Sequence, residues 1–330
     1  MILKNAVKSF LILPLFLITL SCFSAEQDYP NRSIRLVIPY PPGGGIDPAG
    51  RIIAIALSQE LGQPVFVENI SGASGQIGTA TVARAKPDGY TFLFGSVAPN
   101  AILPAAYENQ LLYDAKKSFI PIAKVAESNY VLLVNKTIPV SNLDELIKYA
   151  QLNPEKVSYS SSGMLSGPHL AGELLAKMAK VNLLHVPFKG NGPSFTAFLG
   201  GEVNMTFDSA GGVIGKKQDD KFRVIAITGS PELSALANLP NLSKIYPGQN
   251  VFQWYGLFAV QNTPEGVIKK LNMTMDRILK NPEMRKKISD MGLIPVMESN
   301  PMTFQAFVNS EIDRWKQIFS TYHFEIPSLK

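Results

Sequence analysis

Short apolar runs alternate with amphipathic segments along most of the chain. The runs predict buried strands, and the segments between them, in which apolar residues recur three or four positions apart, predict helices. The predicted strands are 34–38, 64–68, 91–94, 131–134, 157–160, 183–186, 203–207 and 224–228. The predicted helices include 48–61, 143–152 and 168–179, and residues 264–291 also have a helical pattern. This alternation predicts an α/β protein with parallel sheets and helices on their faces.

The first predicted strand leads into three consecutive glycines, Gly43, Gly44 and Gly45, and then into a helix opened by Asp47 and Pro48. Glycines allow successive backbone N–H groups to point at one ligand. A helix start adds unpaired donors and the positive end of the helix dipole. We call residues 43–45 the glycine loop, and its chemistry predicts binding of a carboxylate or a phosphate.

Two later segments repeat the order of strand, small-residue loop and proline-opened helix. The strand 157–160 leads into residues 161–167, here called the serine loop, before Pro168. The strand 183–186 precedes residues 189–192, the lysine loop, before Pro193. Turn formation alone explains any one such loop. Because these loops gather at the carboxyl ends of parallel strands, where ligands bind, the three together predict one ligand site.

Asp47 has two interpretations. Directly before Pro48, it is well placed as a helix N-cap that accepts hydrogen bonds from the next turn, a role worth about 1 kcal/mol. This is the interpretation that we favour. The alternative is that its free oxygen accepts a hydrogen bond from an ammonium or hydroxyl group of the ligand.

Nucleotide-binding motifs are absent from the glycine loop. A Walker loop needs a lysine and a hydroxyl residue after its glycines, and the chain supplies neither there. Pro48 stands where the dinucleotide motif requires its third glycine. Gly72, Gly75 and Gly78 match no phosphate motif and are predicted to serve a turn and close helix packing. The remaining prediction for the loop is a carboxylate.

The histidines give no support to a catalytic metal site. His169, His185 and His323 are the only three, and none has a partner at metal-ligand spacing. His169 follows a helix start, so it either packs in the interior or faces the ligand. No serine lies in a Gly-x-Ser-x-Gly elbow. We therefore predict no catalytic residue, no metal and no cofactor.

The first residues have the pattern of a signal peptide. Lys4 and Lys8 precede the apolar run 10–20, and small residues follow it. We predict a signal peptide over residues 1–24, with cleavage near Ser24 and a periplasmic location. A membrane span is the alternative, but the run is about half of the roughly 20 residues that a spanning helix needs.

Cys22 is the only cysteine and lies inside this leader. The segment 19–22 loosely resembles a lipoprotein processing site, and a lipid anchor at Cys22 is the alternative to simple cleavage. In the cleaved form the mature chain has no disulfide and no thiol nucleophile.

Composition describes a globular protein with a mild positive charge. At 330 residues, 46% hydrophobic and 17% charged, the chain is long enough for two lobes. Its formal charge falls from +5 to +3 when Lys4 and Lys8 leave with the leader. Lysine pairs such as Lys216 with Lys217 make no basic track, so nucleic acid is not an expected partner.

Several short motifs recur in a known order and spacing. They are Tyr29-Pro30, the segment 38–47 with Arg51, Gly62 to Val65, Val67 to Asn69, Pro87 to Thr91, His185 to Gly190, Leu199 to Gly201, and Trp254. In this arrangement the chain resembles the Bug-type receptors, the TctC-like extracytoplasmic solute-binding subunits of tripartite tricarboxylate transporters. Each motif is weak alone, and the set is specific.

The resemblance implies a type II periplasmic-binding-protein (Venus-flytrap) fold, with two Rossmann-like lobes and a two-strand hinge. We expect lobe 1 over 25–127 plus 251–330 and lobe 2 over 128–250. The lobes would close on a small mono-, di- or tricarboxylate, and the partners would be permease subunits, with the receptor itself a monomer. The expected ligand-binding residues are Tyr40, Gly43, Gly44, Gly45, Asp47, Ser96, Asn100, Ser161, Ser162, Gly163, Ser166, Gly167, His169 and Asp208. Phe188 and Lys189 are weaker candidates.

The chain departs from the usual family pattern at two positions, of which the first bears on the choice of ligand. Ile46 replaces a frequent small hydroxyl residue, and Ser74 stands where a glycine is usual. Two other functions stay open on the sequence: a sensor that presents its closed form to a signalling partner, and an enzyme using Asp47, His169 or Asp208 as acid or base.

Overall fold

The computed structural model describes residues 29–214, 220–229 and 236–329. The predicted signal peptide, Cys22 and the pair Lys216 with Lys217 lie outside these residues. The described strands are β1 (Ile34–Ile38), β2 (Val65–Asn69), β3 (Thr91–Ser96), β4 (Phe119–Asn135), β5 (Val157–Ser161), β6 (Leu183–Pro187), β7 (Met205–Ser209), β8 (Phe222–Ile227), β9 (Phe252–Val260) and β10 (Ile294–Pro295).

The helices fill the spaces between the strands. They are α1 (Ile46–Leu61), α2 (Gln76–Ala83), α3 (Leu103–Ala106), α4 (Leu143–Leu152), α5 (Gly167–Ala179), α6 (Asn191–Leu199), α7 (Ala210–Ile214), α8 (Leu242–Ile245), α9 (Glu265–Lys280), α10 (Pro282–Asp290) and α11 (Pro301–Tyr322). A 3₁₀ turn at Ala73–Gly75 precedes α2, and a π-helical turn at Ala98–Ile102 precedes α3. Helix α4 has the predicted bounds, and α9 and α10 confirm the late helical pattern.

The sheet is mixed, so the prediction of parallel sheets was wrong. Its strand order is β2-β1-β3-β9-β4-β7-β5-β6, and β8 and β10 both pair with β4. Strands β1, β2 and β3 are parallel, as are β5, β6 and β7. Strands β4 and β9 run antiparallel to their neighbours. The local alternation of strand and helix predicts the parallel units but not these two long returning strands.

Strand β4 belongs to both halves of the sheet. Its residues 119–129 pair with β9, and its residues 130–134 pair with β7. We call β1, β2, β3, β9, β10 and the first part of β4 the first half-sheet, and β5 to β8 with the rest of β4 the second half-sheet. Beside this crossing Asn129 Nδ2 donates to the carbonyl of Thr228, 2.6 Å away, and the Thr228 hydroxyl donates to Val251. The chain therefore crosses between the halves at two adjacent places. The lobe bounds, 25–127 plus 251–330 and 128–250, stay a prediction.

Helix α1 packs on the first half-sheet and fixes where its N-terminus points. Ile53 and Leu57 are buried against the strands. A Cβ at Gly50 would lie 2.5 Å from Ile38 Cδ1, so the helix approaches β1 more closely than a larger residue permits. Gly72 and Gly75 have positive φ in the turn before α2, as their spacing predicts. Among the described residues no helix is long and apolar enough to cross a membrane.

Candidate functional site

A cavity of about 190 Å³ lies between the two half-sheets, at the carboxyl ends of their parallel strands. The glycine, serine and lysine loops all reach it, as their shared strand–loop–helix order predicts. The lining residues are Tyr40, Pro41, Pro42, Gly44, Gly45, Ile46, Ala98, Tyr130, Ser162, Ser166, Gly167, Pro168, Lys189, Gly190, Asn191, Gly192, Pro193, Ser209, Gln253 and Tyr255. We call this space the first cavity.

Residues at the starts of three helices line the first cavity. Helix α1 begins at Ile46, α5 at Gly167 and α6 at Asn191. The N–H groups of these three residues find no acceptor among the described residues, and the same is true of Gly44, Gly45, Ser162, Gly190 and Gly192. Unpaired donors at a helix start, together with the helix dipole, favour a negatively charged ligand.

Three tyrosine hydroxyls add neutral polar groups to the lining. Burial raises the pKa of Tyr40 to about 12 and raises the pKa values of Tyr130 and Tyr255 further. All three therefore keep their protons at neutral pH. The Tyr130 hydroxyl donates to Gln253 Oε1 at 3.0 Å, which orients this amide at the cavity wall.

The charge of the first cavity favours an anion. Among the described residues that line it, Lys189 carries the only charged side chain and none has a carboxylate. Asp208, on β7, stands behind the wall, where its Oδ1 accepts a hydrogen bond from Asn191 Nδ2 at 3.2 Å. Its carboxylate thereby positions a lining residue.

Asp47 is not the N-cap of α1, so that interpretation was wrong. The N-cap is Gly45, and Asp47 lies in the first helical turn with 5% of its surface exposed. Its carboxylate accepts hydrogen bonds from Gly43 N at 3.2 Å, Arg51 Nε at 3.0 Å and Asn69 Nδ2 at 2.9 Å. Burial opposes its charge, but these bonds outweigh the burial and lower its pKa.

The same network anchors the glycine loop to the sheet. Asn69, at the end of β2, also donates to the carbonyl of Tyr40 at 2.9 Å. Asp47 is thus bonded at once to the start of the glycine loop, to its own helix through Arg51 and to the neighbouring strand. The Asp47 side chain holds the glycine loop in place through these hydrogen bonds, and it does not line the first cavity.

The serine loop is held by its own hydroxyls. Ser166 caps α5, because its Oγ accepts from His169 N at 3.5 Å and donates to the carbonyl of Gly163 at 2.7 Å. A Cβ at Gly167 would lie 2.1 Å from the Tyr130 hydroxyl, so only glycine fits there. The first turn of α5 is therefore pressed against the strand that joins the two half-sheets.

Two histidines stack beneath the serine loop. The rings of His169 and His185 lie 4.1 Å apart, and Ser161 Oγ is 2.7 Å from His185 Nε2. Leu165 N donates to His169 Nδ1 at 3.1 Å. Burial, reinforced by His185, lowers the pKa of His169 to about 3, and burial lowers that of His185 to about 4. Neutral rings in these positions support the loop.

The expected ligand-binding residues fall into two groups. Those that line the first cavity are Tyr40, Gly44, Gly45, Ser162, Ser166 and Gly167. Those that lie outside its lining are Gly43, Asp47, Ser96, Asn100, Ser161, Gly163, His169 and Asp208. Ser96 belongs to a chain of bonds behind the wall, in which its Oγ donates to the Tyr40 hydroxyl and its N–H donates to Asn100.

Strands β4 and β9 bring residues to the cavity that the sequence analysis did not single out. These are Tyr130, Gln253 and Tyr255, and Ser209 at the end of β7 joins them. A Cβ at Gly45 would lie 3.1 Å from both Ser209 Oγ and the Tyr255 hydroxyl, which shows how closely the glycine loop faces them. The sequence offered one indication that β9 faces the cavity: Gln253 is a polar residue within an otherwise apolar strand.

The loops on the two sides of the cleft are in direct contact. Ser74 Oγ, on the turn before α2, donates to the carbonyl of Met164 in the serine loop at 2.8 Å. A Cβ at Gly190 would lie 3.3 Å from Pro41. The structure thus shows the cleft closed over the first cavity. Among the described residues no group of three or more His, Cys, Asp or Glu could hold a metal ion.

The sequence matches the family of tripartite tricarboxylate transporter receptors over residues 49–323. The chain belongs to this family. It is 31% identical to the periplasmic binding protein BugD, with a TM-score of 0.82 over 90% of this chain and 99% of that one. The resemblance to Bug-type receptors, the predicted fold class and the role of solute-binding receptor are confirmed.

Two further solved structures of similar fold carry organic acids. One is an R. palustris protein with adipate, 31% identical, with a TM-score of 0.84 over 90% of this chain and 99% of that one. The other is MatC from Rhodopseudomonas palustris with bound malate, 29% identical, with a TM-score of 0.81 over 88% of this chain and 99% of that one.

Proposed function

We propose that this receptor captures a small organic carboxylate in the first cavity, outside the cytoplasmic membrane, and delivers it to the membrane permease of a tripartite tricarboxylate transporter. The observation that carries the proposal is that residues with unpaired backbone N–H groups at three helix starts line one cavity, and that no described residue of its lining has a carboxylate. The adipate and malate found in two similar structures support the same ligand class.

The first cavity stabilises a carboxylate mainly through groups that are already in place. Backbone donors fixed by helix starts need no rearrangement, and enclosure strengthens their hydrogen bonds because water is excluded. The neutral hydroxyls of Tyr40 and Tyr255 add polar contacts without adding negative charge. Lys189, exposed at the edge, supplies long-range attraction for an anion rather than a buried ion pair.

Closure of the cleft follows from where these donors lie. Gly44 and Gly45 lie in the loop that follows β1 of the first half-sheet. Ser162 and Gly167 follow β5, and Gly192 follows β6, both strands of the second half-sheet. A ligand that touches both sets gains its full contacts only when the loops meet, so binding favours the closed arrangement. The permease would then recognise the closed form.

Calorimetric titration of the mature protein tests the ligand class. The protein is unfolded and refolded to remove any bound molecule, then titrated with malate, adipate, citrate and hexanoate, and with hexanamide as the uncharged control. We expect at least one acid to bind and the amide not to bind. Absence of binding by every acid, in a protein whose circular dichroism shows it refolded, would refute the proposal.

A charge variant tests the role of the cavity edge. We expect Lys189→Gln to weaken acid binding about 2- to 5-fold, because an exposed charge contributes little. Added salt should weaken binding less in this variant than in the wild type. Lys286→Gln, which changes an exposed lysine paired with Asp290 on α10, is the matched control and should leave the affinity unchanged.

Transport of the bound acid by membrane vesicles that contain the permease tests delivery.

A further inference from the structure

The chain leaves helix α11 through a sharp turn. His323, the residue after the helix, has a left-handed backbone with a φ of 49°, and the N–H of Phe324 donates to the carbonyl of Phe319 at 3.3 Å. Such a turn ends a helix and sends the chain in a new direction. Residues 324–329 then continue without helix or strand. We call these residues the tail segment.

The tail segment begins where the two sides of the molecule are adjacent. Helix α11 packs on the first half-sheet, since its Phe304 ring lies 4.9 Å from that of Phe258 on β9. The Phe324 ring packs edge-on against Phe319 of the same helix, 5.4 Å away. It also lies 5.4 Å from Nζ of Lys177, on helix α5, which follows β5 of the second half-sheet. The first residue of the tail segment therefore contacts both sides.

The other end of the tail segment lies beside the contacts that close the cleft. Residues 327–329 line a second cavity of about 700 Å³. The lining of this cavity also includes both pairs that join the two sides, Ser74 with Met164 and Pro41 with Gly190. The tail segment thus ends among loops of the first side and loops of the second, at the place where these loops meet.

The tail segment is held by shallow apolar contacts. Phe324 and Ile326 are partly buried against the core, whereas Glu325 and Ser328 are exposed. Residues 325–329 make no hydrogen bond, by backbone or side chain, to any other described residue. Segments with few buried contacts and no backbone hydrogen bonds detach at a much lower free energy than global unfolding requires. The tail segment can therefore leave the surface while helix α11 stays folded.

We propose that the tail segment is a strap that holds the cleft closed. Its end reaches loops of both sides together only when those loops meet, so its apolar contacts add to the stability of the closed form. The inference rests on the proposed function, since it concerns how long the bound acid is retained. It adds no contact to the acid itself. Because the strap is incomplete in the open form, it slows release of the acid and leaves association unchanged.

Removal of residues 325–330 tests the strap. The shortened chain ends at Phe324, which keeps its ring packed on Phe319. Both proteins are loaded with whichever of malate, adipate, citrate or hexanoate binds most tightly in calorimetry, and release and association are followed by stopped-flow fluorescence. We expect release to be about 5- to 10-fold faster in the shortened chain, because the partly buried apolar side chains of the strap are lost. The association rate should stay within about 2-fold.

Point variants keep the length of the chain and remove the contacts one at a time. Ile326→Ser and Leu329→Ser should each accelerate release about 2- to 4-fold. Glu325→Gln changes an exposed residue of the same segment, so it is the matched control and should release the acid at the wild-type rate. Thermal melts establish that each variant folds. The point variants decide the matter if the shortened chain does not fold.

A distance across the cleft tests the strap without any ligand. Leu112, on the first side, and Leu184, on β6 of the second side, are both exposed. Leu112→Cys and Leu184→Cys are combined in the mature protein, labelled with nitroxides and measured by pulsed electron paramagnetic resonance. We expect the shortened chain to have a fraction of closed molecules about 5- to 10-fold smaller than that of the full-length chain.

The outcomes separate the strap from the proposed function. Equal release rates in the full-length and shortened chains overturn the strap, as does an acceleration by Glu325→Gln as large as that by Ile326→Ser. Failure of every acid to bind refutes the proposed function instead. The spin-label distances then decide on the strap alone, because equal closed fractions overturn it and a loss of the closed fraction in the shortened chain supports it.

Discussion

Individual residues around the first cavity are of two kinds, those that line it and those that support the lining loops. Asp47 belongs to the second kind, since its carboxylate holds Gly43, Arg51 and Asn69 and does not line the first cavity. Ser74 also supports a loop, because it is hydrogen-bonded to the serine loop across the cleft. Its backbone has a φ of 53°, a left-handed conformation that disfavours every residue with a side chain, yet its hydroxyl crosses the cleft to Met164.

Removal of the Asp47 carboxylate should loosen the glycine loop. We expect Asp47→Ala to lower the free energy of unfolding by about 1 to 3 kcal/mol, because Gly43 N and Asn69 Nδ2 lose a charged acceptor. Acid binding should weaken in parallel. Urea unfolding and calorimetry measure the two effects. Asp88→Asn, an exposed partner of Arg32, is the control, and equal behaviour of the two variants would contradict the anchoring role.

Loss of the Ser74 hydroxyl should act on closure and spare overall stability. A hydrogen bond present only in the closed form contributes about 0.5 to 1.5 kcal/mol, so Ser74→Ala should weaken acid binding about 2- to 10-fold. Ser74→Gly should weaken binding to the same degree while unfolding at an equal or higher temperature, because glycine tolerates this φ. Faster ligand release in stopped-flow experiments would identify the lost cross-cleft contact, and unchanged release would exclude it.

A buried ion pair within helix α11 is hydrogen-bonded to residues outside the helix. Glu311, with 4% of its surface exposed, accepts hydrogen bonds from Arg314 at 2.6 and 3.0 Å and from the Trp254 indole at 3.2 Å. Arg314 also donates to the carbonyl of Asn250 at 2.8 Å. The helix is thereby bonded to the segment through which the chain returns to the first half-sheet.

Neutralising Glu311 should therefore cost stability. We expect Glu311→Gln to lower the free energy of unfolding by about 2 to 4 kcal/mol, since a mostly buried guanidinium loses its charged partner. Asp313→Asn lies on the same helix but breaks only an exposed pair with Lys116, and should change stability by less than about 0.5 kcal/mol. Chemical unfolding of both variants measures the difference, and similar losses would contradict the special role of the buried pair.

For the whole molecule, the buried histidine pair makes stability depend on pH. The pKa values of His169 and His185 are lowered in the folded state, to about 3 and about 4, from an ordinary value near 6.5. Below about pH 6.5 the unfolded chain therefore binds protons that the folded protein does not. Acid then favours unfolding, and the lowered pKa of Asp47 adds to this effect only in more acidic solution.

We expect the free energy of unfolding to fall by about 1.4 kcal/mol per pH unit for each histidine as the pH drops from about 6 toward 4. His185→Gln should flatten this dependence. Urea unfolding across this pH range measures the slopes, and identical slopes in the wild type and His185→Gln would contradict the prediction.

The pattern of apolar and polar residues predicted those strands and helices whose bounds depend on residues close together in the sequence. Strand β1 and helix α4 have their predicted bounds, and the three loops meet at one cavity because each follows a parallel strand. Asp47 was misjudged because its bonds to Asn69 come from a strand distant in sequence. Gln253 and Tyr255 were missed for the same reason, since antiparallel pairing of β9 with β4 leaves no local signal of what faces the cleft.

Strand β4 also decides how the chain can be divided. Because one uninterrupted strand supplies paired residues to both half-sheets, a fragment cut near Asn129 leaves each piece with an open, hydrogen-bonding edge of buried apolar residues. Neither piece has a complete sheet of its own, so we expect separately expressed halves to aggregate. Co-expression is the route by which such fragments would reassemble. The two half-sheets thus form opposite walls of the cleft, yet we expect them to fold together because they share one continuous strand.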